Sequence, residues 1–529
     1  MGNLIEQARR GSWRSWSSDL RRSVRNASFS SAEHVLHPLL WLLATPIYIA
    51  YLGRDLFGVW ILVQSILGFS QLFGLGLTTA TTKYVAKYRG REDSEALRRV
   101  IQTTGWIYMV LGGAAAALVF LASAWIVDHV IHPLPEHSEM CIGAVKLVAA
   151  GVFARFFYSV YQSALQGFER HDLAARVGMI VNAVTMVVNI ALVTRGYSLH
   201  AMVGVVVACT ALGGCAMWCI LRMKLVPGLS LRPHLDFAII KEVWQFGFFS
   251  GVRAIISNAG EHLELFIVSS VLGATDVGLL GVARRLPLQV HALIANATAF
   301  LFPFTGALVE RDDKERLRRV YDKASTAVVI VISGLLMPIL LFGPDFLALW
   351  IDPEFADLAG VALMIYCVRY GLLPMTIVNH HYLLGVGLAR LHAMIVTLST
   401  ITVLLAIYTL TPRYGINGAA GATLIVVPVV FLTRMYIECR IFGHASLKNN
   451  IGYYLPIVVP MGITALIARF GSAGYVRGLP LFLGMAVTAV GAWALAVSIV
   501  LLLQRVHVLP VASAREHTGP EHAPELESP

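Results

Sequence analysis

Between Arg253 and Thr298, two apolar segments carry polar residues at helical spacing. Arg253, Ser257, Glu261 and Glu264 fall at i, i+4, i+8 and i+11, and Arg284, His291 and Thr298 at i, i+7 and i+14. At about 3.6 residues per turn, each set forms one stripe on a helix. A short turn, Leu272-Gly273-Ala274-Thr275-Asp276, separates the two. An ionisable group in lipid costs roughly 3 kcal/mol on insertion scales, so such stripes should face a protein interior or a wet cavity. Glu261 and Glu264 are the only acids deep in an apolar segment. Two carboxylates on one face resist ionising together, which suits coupling to a proton or a sodium ion. A structural ion pair with Arg284 or Arg285 is the competing reading. No other cofactor is expected.

Other charges lie inside apolar segments. Arg369 shares a stripe with Thr376 and His380, and Arg155 with Tyr158 and Gln162. Each could line a cavity, and for each an ion pair within the bundle is the equal alternative. Arg285 lies about 100° round the helix from Arg284, which favours a packed neighbour over the cavity. Lys146 is close enough to a segment end to reach the interface.

The elements that position these residues follow from composition. The 529 residues are 57% apolar and 14% charged, with a mean hydropathy of +0.70. Apolar runs of about 20 residues recur from Ala32 to Leu503, the pattern of an all-α polytopic membrane protein. Fourteen spans are predicted, at 32–52, 56–82, 100–127, 140–166, 174–194, 199–221, 240–272, 276–307, 321–344, 356–386, 391–411, 415–438, 449–469 and 480–503. Some thirty polar residues precede the first, so no cleaved signal peptide is expected. Residues 1–31 form a basic, Trp-containing tail, read as membrane-surface binding or as a solvated leader at even odds. Residues 505–529 read as a disordered tail. The six cysteines make no metal-ligand spacing and read as packing residues.

Lys and Arg placement tests the span count. Most of the 41 fall on alternate loops, while the opposite loops hold only Arg54, Arg195, Arg413, Arg469 and Arg477. That bias supports fourteen spans with both termini cytoplasmic. The net charge of +10 is thus a topology signal, and no nucleic-acid partner is implied.

An internal repeat runs through the chain. Arg91-Glu92-Asp93-Ser94-Glu95-Ala96-Leu97-Arg98-Arg99-Val100 returns as Arg311-Asp312-Asp313-Lys314-Glu315-Arg316-Leu317-Arg318-Arg319-Val320, at an offset of 220. At the same offset Leu52-Gly53 and Gly58 meet Leu272-Gly273 and Gly278, while Gly167 and Arg170 meet Gly387 and Arg390. Six spans per copy make the repeats parallel, related by an axis along the membrane normal, with a pathway along their interface. The predicted division is an N-lobe at 32–222, a cytoplasmic linker at 223–239, a C-lobe at 240–442 and two further spans at 443–504. The offset also supports the second stripe, because Gln64, Gln71 and Thr78 stand where Arg284, His291 and Thr298 stand in the other copy. These six are predicted to line a central cavity. The offset pairs Arg253 with Glu33, which suggests a cytoplasmic gate salt bridge, against simple interfacial anchoring of Arg253.

The chain resembles the Wzx-type polysaccharide and O-antigen flippases of the multidrug/oligosaccharidyl-lipid/polysaccharide exporter superfamily. The residues that carry the resemblance are Leu52-Gly53-Arg54-Asp55-Leu56-Phe57-Gly58-Val59-Trp60, Gly74-Leu75-Gly76-Leu77-Thr78-Thr79-Ala80 and the loop from Lys83 to Arg99. It implies two six-helix bundles in a V, alternating access, and residence in the bacterial cytoplasmic (inner) membrane. It also implies a substrate, an undecaprenyl-diphosphate-linked oligosaccharide moved to the periplasmic leaflet for surface polysaccharide. The expected partners are this lipid-linked oligosaccharide, membrane lipids, a polysaccharide polymerase and a chain-length regulator, and the chain is expected to be a monomer. Arginine suits the diphosphate, since its guanidinium makes paired, charge-assisted hydrogen bonds. Arg284 is the first candidate.

Two other classes compete. A cation-coupled multidrug exporter of the same superfamily should have an acidic, aromatic cavity, whereas most charges inside these spans are basic. A membrane polysaccharide polymerase or ligase should carry a large external loop with Arg and His. The external loops predicted here, Asp128–Glu139 and Asp345–Phe355, hold no Lys or Arg. No phosphate-binding Gly-rich loop followed by Lys-Ser/Thr is present, which argues against ATP-driven transport.

Overall fold

The protein is described by a computed structural model covering residues 38, 40–69, 74–232, 236–441 and 491; the side chains of residues 75, 238, 242 and 244–258 are not among those described. The expected gate acid Glu33, the cavity candidate Gln71, spans thirteen and fourteen and both tails lie outside the described residues. So does the side chain of Arg253. The described residues are helical and include no strand. Nine of their helical runs are long and apolar enough to cross a membrane, as expected of a multi-pass membrane protein. Large apolar side chains such as Leu118, Ile180, Leu212, Leu398 and Leu405 stay exposed along them, as they do where lipid rather than water is the solvent.

In chain order the elements are α1 (Leu40–Phe69), α2 (Leu75–Gly90), α3 (Ser94–Leu121), α4 (Ser138–Gly167), α5 (His171–Val193), α6 (Leu199–Ile220) and α7 (Phe237–Leu272). There follow α8 (Ala274–Ala297), α9 (Leu301–Glu310), α10 (Lys314–Trp350), α11 (Pro353–Leu372), α12 (Pro374–Gly385), α13 (Ala389–Ala422) and α14 (Val426–Ile441). The α1 run is a hairpin. Gly53 adopts a left-handed φ of 76°, and the rings of Tyr48 and Trp60 on its two arms lie 6.0 Å apart. Twelve residues of straight helix would hold them about 18 Å apart.

The chain divides into two compact units. One comprises residues 1–297, 343–369 and 388–426, and the other 298–342, 370–387 and 427–529. In the first, α4 packs between α3 and α6, and α7 runs against α2 and α13. The segment entering α7 is docked on α3: Arg98 donates to the Pro227 carbonyl (3.0 Å), Gln102 to the Ser230 hydroxyl (2.8 Å) and the Trp106 indole to the Leu231 carbonyl (3.3 Å). In the second unit α9 packs on α12. Arg434 is fully buried in α14. It bonds Glu438 one turn on, at 3.1 Å, and lies over the Tyr321 ring. Burial of a guanidinium becomes tolerable through such partners.

Local geometry recurs at the repeat offset. Gly53 and Gly273 are left-handed (φ 76° and 96°), as are Glu92 and Asp312 (φ 56° and 49°). The following Asp93 and Asp313 each cap a helix, accepting from the amides of Ala96 (2.9 Å) and Arg316 (3.0 Å). An Asp side chain there satisfies an amide that the first helical turn leaves without a partner.

One expected loop is corrected. Asp345–Phe355 is mostly helical, because α10 continues to Trp350 and α11 begins at Pro353. Asp352 opens α11, its side chain accepting from the Phe355 amide at 2.7 Å.

Candidate functional site

Within the first unit, the α1 hairpin meets the turn between α7 and α8. A Cβ on Gly58 would run into the Ala274 carbonyl, and one on Gly278 would lie 3.2 Å from the Arg54 carbonyl oxygen. The absence of side chains at both glycines lets the two backbones touch. Around this contact Asp55 is buried and accepts from Thr275 (3.3 Å) and the Leu134 amide (3.4 Å), with His137 Nδ1 at 2.8 Å. Arg54 bonds Glu354 (2.6 Å) and Asp352 (3.1 Å). Ser269 donates to the Ile131 carbonyl at 2.9 Å. Together these contacts tie the hairpin end shut.

Deeper along the same helices lies a cavity of about 420 Å³, within the size range of small-molecule sites. Gln64 and Arg284 lie about three helical turns beyond Gly53 and Gly273 respectively, and Glu261 about three turns before Gly273. That places all three at a similar depth, roughly 16–18 Å from the hairpin end. Gln64, Glu261, Arg284 and Arg285 all line the cavity. Gln64 and Glu261 are exposed to it, whereas Arg284 is buried.

Behind the lining sits a buried ionic cluster. Arg284 Nη1 donates to Glu264 Oε2 at 3.0 Å and to the Glu261 carbonyl at 2.9 Å, and Glu264 also accepts from the Tyr366 hydroxyl. Glu264 is 4% exposed. At Arg284 the ion-pair reading is therefore what the structure shows. Its neighbour differs. Arg285 makes no ion pair among the described residues, and its guanidinium lies over the Trp41 ring, 5.6 Å from the centroid. A face-on stack holds the cation in place while leaving its N–H edges for another partner.

The remaining candidates lie away from this lining. Arg155 stacks on Tyr158 of its own helix, 5.2 Å from the ring centroid. Thr78 sits on α2 and is not part of the lining. His291 and Arg369 are half-buried on α8 and α11 and do not reach the lining. The stripe from Arg284 to Thr298 is not one helix, because α8 ends at Ala297 and residues 298–300 form a turn.

Several lining residues were not anticipated. Asn182, Thr185 and Asn189 of α5 fall at i, i+3 and i+7 on the cavity wall, beside Trp41, Tyr48, Trp60 and His262. The α5 stripe was visible as three polar residues at helical spacing in an otherwise apolar span. Tyr366 carried no such signal. Among the described residues no three His, Cys, Asp or Glu side chains converge as a metal site would require.

The cavity thus brings together a guanidinium on an aromatic ring, the amides of α5 and, behind the lining, a buried acid. The sequence matches the model of a family described as polysaccharide biosynthesis protein over residues 51–349, from the α1 hairpin to the end of α10. The chain belongs to that family. Relatives of this polysaccharide biosynthesis protein include a Shigella flexneri protein named "Putative O-antigen transporter", 21% identical over 370 residues, which are 70% of this chain and 86% of that one. Its fold is that of transporters of the MOP superfamily. A structure of the lipid II flippase MurJ in an inward closed conformation superposes with a TM-score of 0.69 at 13% identity, covering 90% of this chain and 99% of that one. An inward-facing MATE multidrug resistance transporter of that superfamily gives 0.64 at 17% identity, covering 78% and 98%.

Proposed function

We propose that this membrane protein flips an undecaprenyl-diphosphate-linked oligosaccharide from the cytoplasmic to the periplasmic leaflet of the bacterial inner membrane, by alternating access, for surface polysaccharide synthesis. The observation that carries the reading is Arg285, which makes no ion pair among the described residues and lies over the Trp41 ring in the cavity. Its N–H groups suit a diphosphate arriving from the cytoplasmic side. Arg284, tied to Glu264, holds the wall beside it. The closed hairpin end would be the periplasmic gate, both termini would be cytoplasmic, and a polymerase and chain-length regulator would act downstream.

A second reading keeps one observation in its favour. The buried carboxylate of Glu264, flanked by Tyr366, suits a coupling ion, H+ or Na+, and an exporter of organic cations would need such an acid too. The sign of the cavity separates the two readings. Deleting the gene and complementing it with Arg285→Gln should leave the lipid-linked intermediate on the cytoplasmic face and the surface polysaccharide absent, at wild-type protein level. Full complementation by Arg285→Gln would remove the flippase reading, and a gain of resistance to cationic drugs on overexpression would favour the exporter.

A further inference from the structure

Besides the arginines, the cavity lining carries a second chemistry. Asn189 is 1% exposed, yet neither its Nδ2 nor its Oδ1 has a hydrogen-bond partner. Buried amides are almost always satisfied, so an orphaned one that lines a cavity is a site awaiting a polar group. Thr185 and Asn182 stand on the same helix face, about one and two turns away. The rings of Trp41, Tyr48 and Trp60 line the same space. The Tyr48 hydroxyl is already engaged with the Met186 sulfur at 3.3 Å, so that ring contributes a surface rather than a donor.

Aromatic rings and carboxamides that share a cavity with two guanidiniums match a molecule that has an apolar face and a polar rim. We infer that the Asn189 side of the lining is a saccharide subsite for one pyranose of the translocated headgroup. The ring's C–H face packs on the aromatics, and two adjacent hydroxyls meet the Asn189 amide. A carboxamide presents a donor and an acceptor side by side, so one hydroxyl donates to Oδ1 while its neighbour accepts from Nδ2. Because the arginines and the amides line one cavity, sugar and diphosphate can be held together.

The inference rests on the flippase reading, and the test separates the two. The full chain in lipid nanodiscs is titrated by calorimetry with three probes: citronellyl diphosphate, citronellyl diphosphoglucose, and the latter with its 2-, 3- and 4-hydroxyls methylated. The glucosylated probe should bind about tenfold more tightly than the other two, the order of one or two net hydrogen bonds. Asn189→Leu should reduce its affinity to that of the bare diphosphate while leaving binding of the bare probe and the melting temperature unchanged, since the amide has no protein partner to lose. Equal affinity of all three probes for the wild-type chain, a preference that survives in Asn189→Leu, or a destabilised Asn189→Leu would each overturn the subsite. A wild-type chain that binds none of the three overturns the flippase reading instead.

Discussion

Gly58 and Gly278 are counterparts in the two repeats, and they stand against each other in space. The carbonyl of Ala274 blocks a side chain at Gly58, and the carbonyl of Arg54 crowds one at Gly278. Ala274 and Arg54 are themselves counterparts at the same offset, so the contact is reciprocal, as at a two-fold interface between identical subunits. The hairpins of the two repeats therefore close against each other as equivalents. Gly58→Ala should hold them apart, and Gly278→Ala should do so less, because its neighbours are 3.2–3.4 Å from the added carbon. Bridging of cysteines placed at Asp55 and Thr275 by a short thiol crosslinker reads closure. Undiminished bridging in Gly58→Ala would refute the contact.

The adjacent arginines should fail in different ways. Arg284→Gln leaves Glu264 buried without its cation, a loss of roughly 3–5 kcal/mol, and should lower protein abundance and melting temperature. Adding Glu264→Gln should restore much of both. Arg285→Gln should leave abundance intact and abolish transport. A stable, abundant Arg284→Gln single variant would show that the pair with Glu264 contributes little.

Coupling can be read at the same cluster. Replacing Glu261 and Glu264 together with Gln should free transport in inverted vesicles from the ion gradient while the protein still inserts. Transport by the double variant that still follows the gradient would make both carboxylates structural.

Topology offers a test that needs no substrate. Cysteines at Ser94 and Lys314, both exposed helix starts, should be labelled from one side of the membrane. Cysteines at Glu136 and Glu354, 73% and 75% exposed at the hairpin end, should be labelled from the other. Labelling of Lys314 and Glu354 from the same side would break the span assignment.

Periodicity exposed part of the cavity in the sequence. Gln64, Glu261 and Arg284 line it because each sits on a helix long enough for spacing to fix its face. Thr298 was misjudged because α8 stops just before it, at Ala297, and a stripe has no meaning across a turn. Arg285 looked like a packing residue from its angle on the helix alone. Its actual setting comes from Trp41, an α1 side chain far away in sequence, which no local pattern encodes. Tyr366 escaped for the same reason: a tyrosine on an apolar face is commonplace until Glu264 arrives beside it.

The hairpin contact sets unlike residues against each other at positions related by the offset of 220. At the centre of the hairpin contact, Asp55 faces Thr275, its own counterpart in the other repeat. In a dimer of identical subunits, an aspartate there would face another aspartate, two acceptors with no donor between them and their charges opposed. A threonine pair would give up the acid that also gathers His137 and the Leu134 amide. Only a chain that carries both versions can set acceptor against donor on the axis itself. The contact therefore inherits the geometry of a symmetric pair, while its chemistry depends on the two halves having diverged.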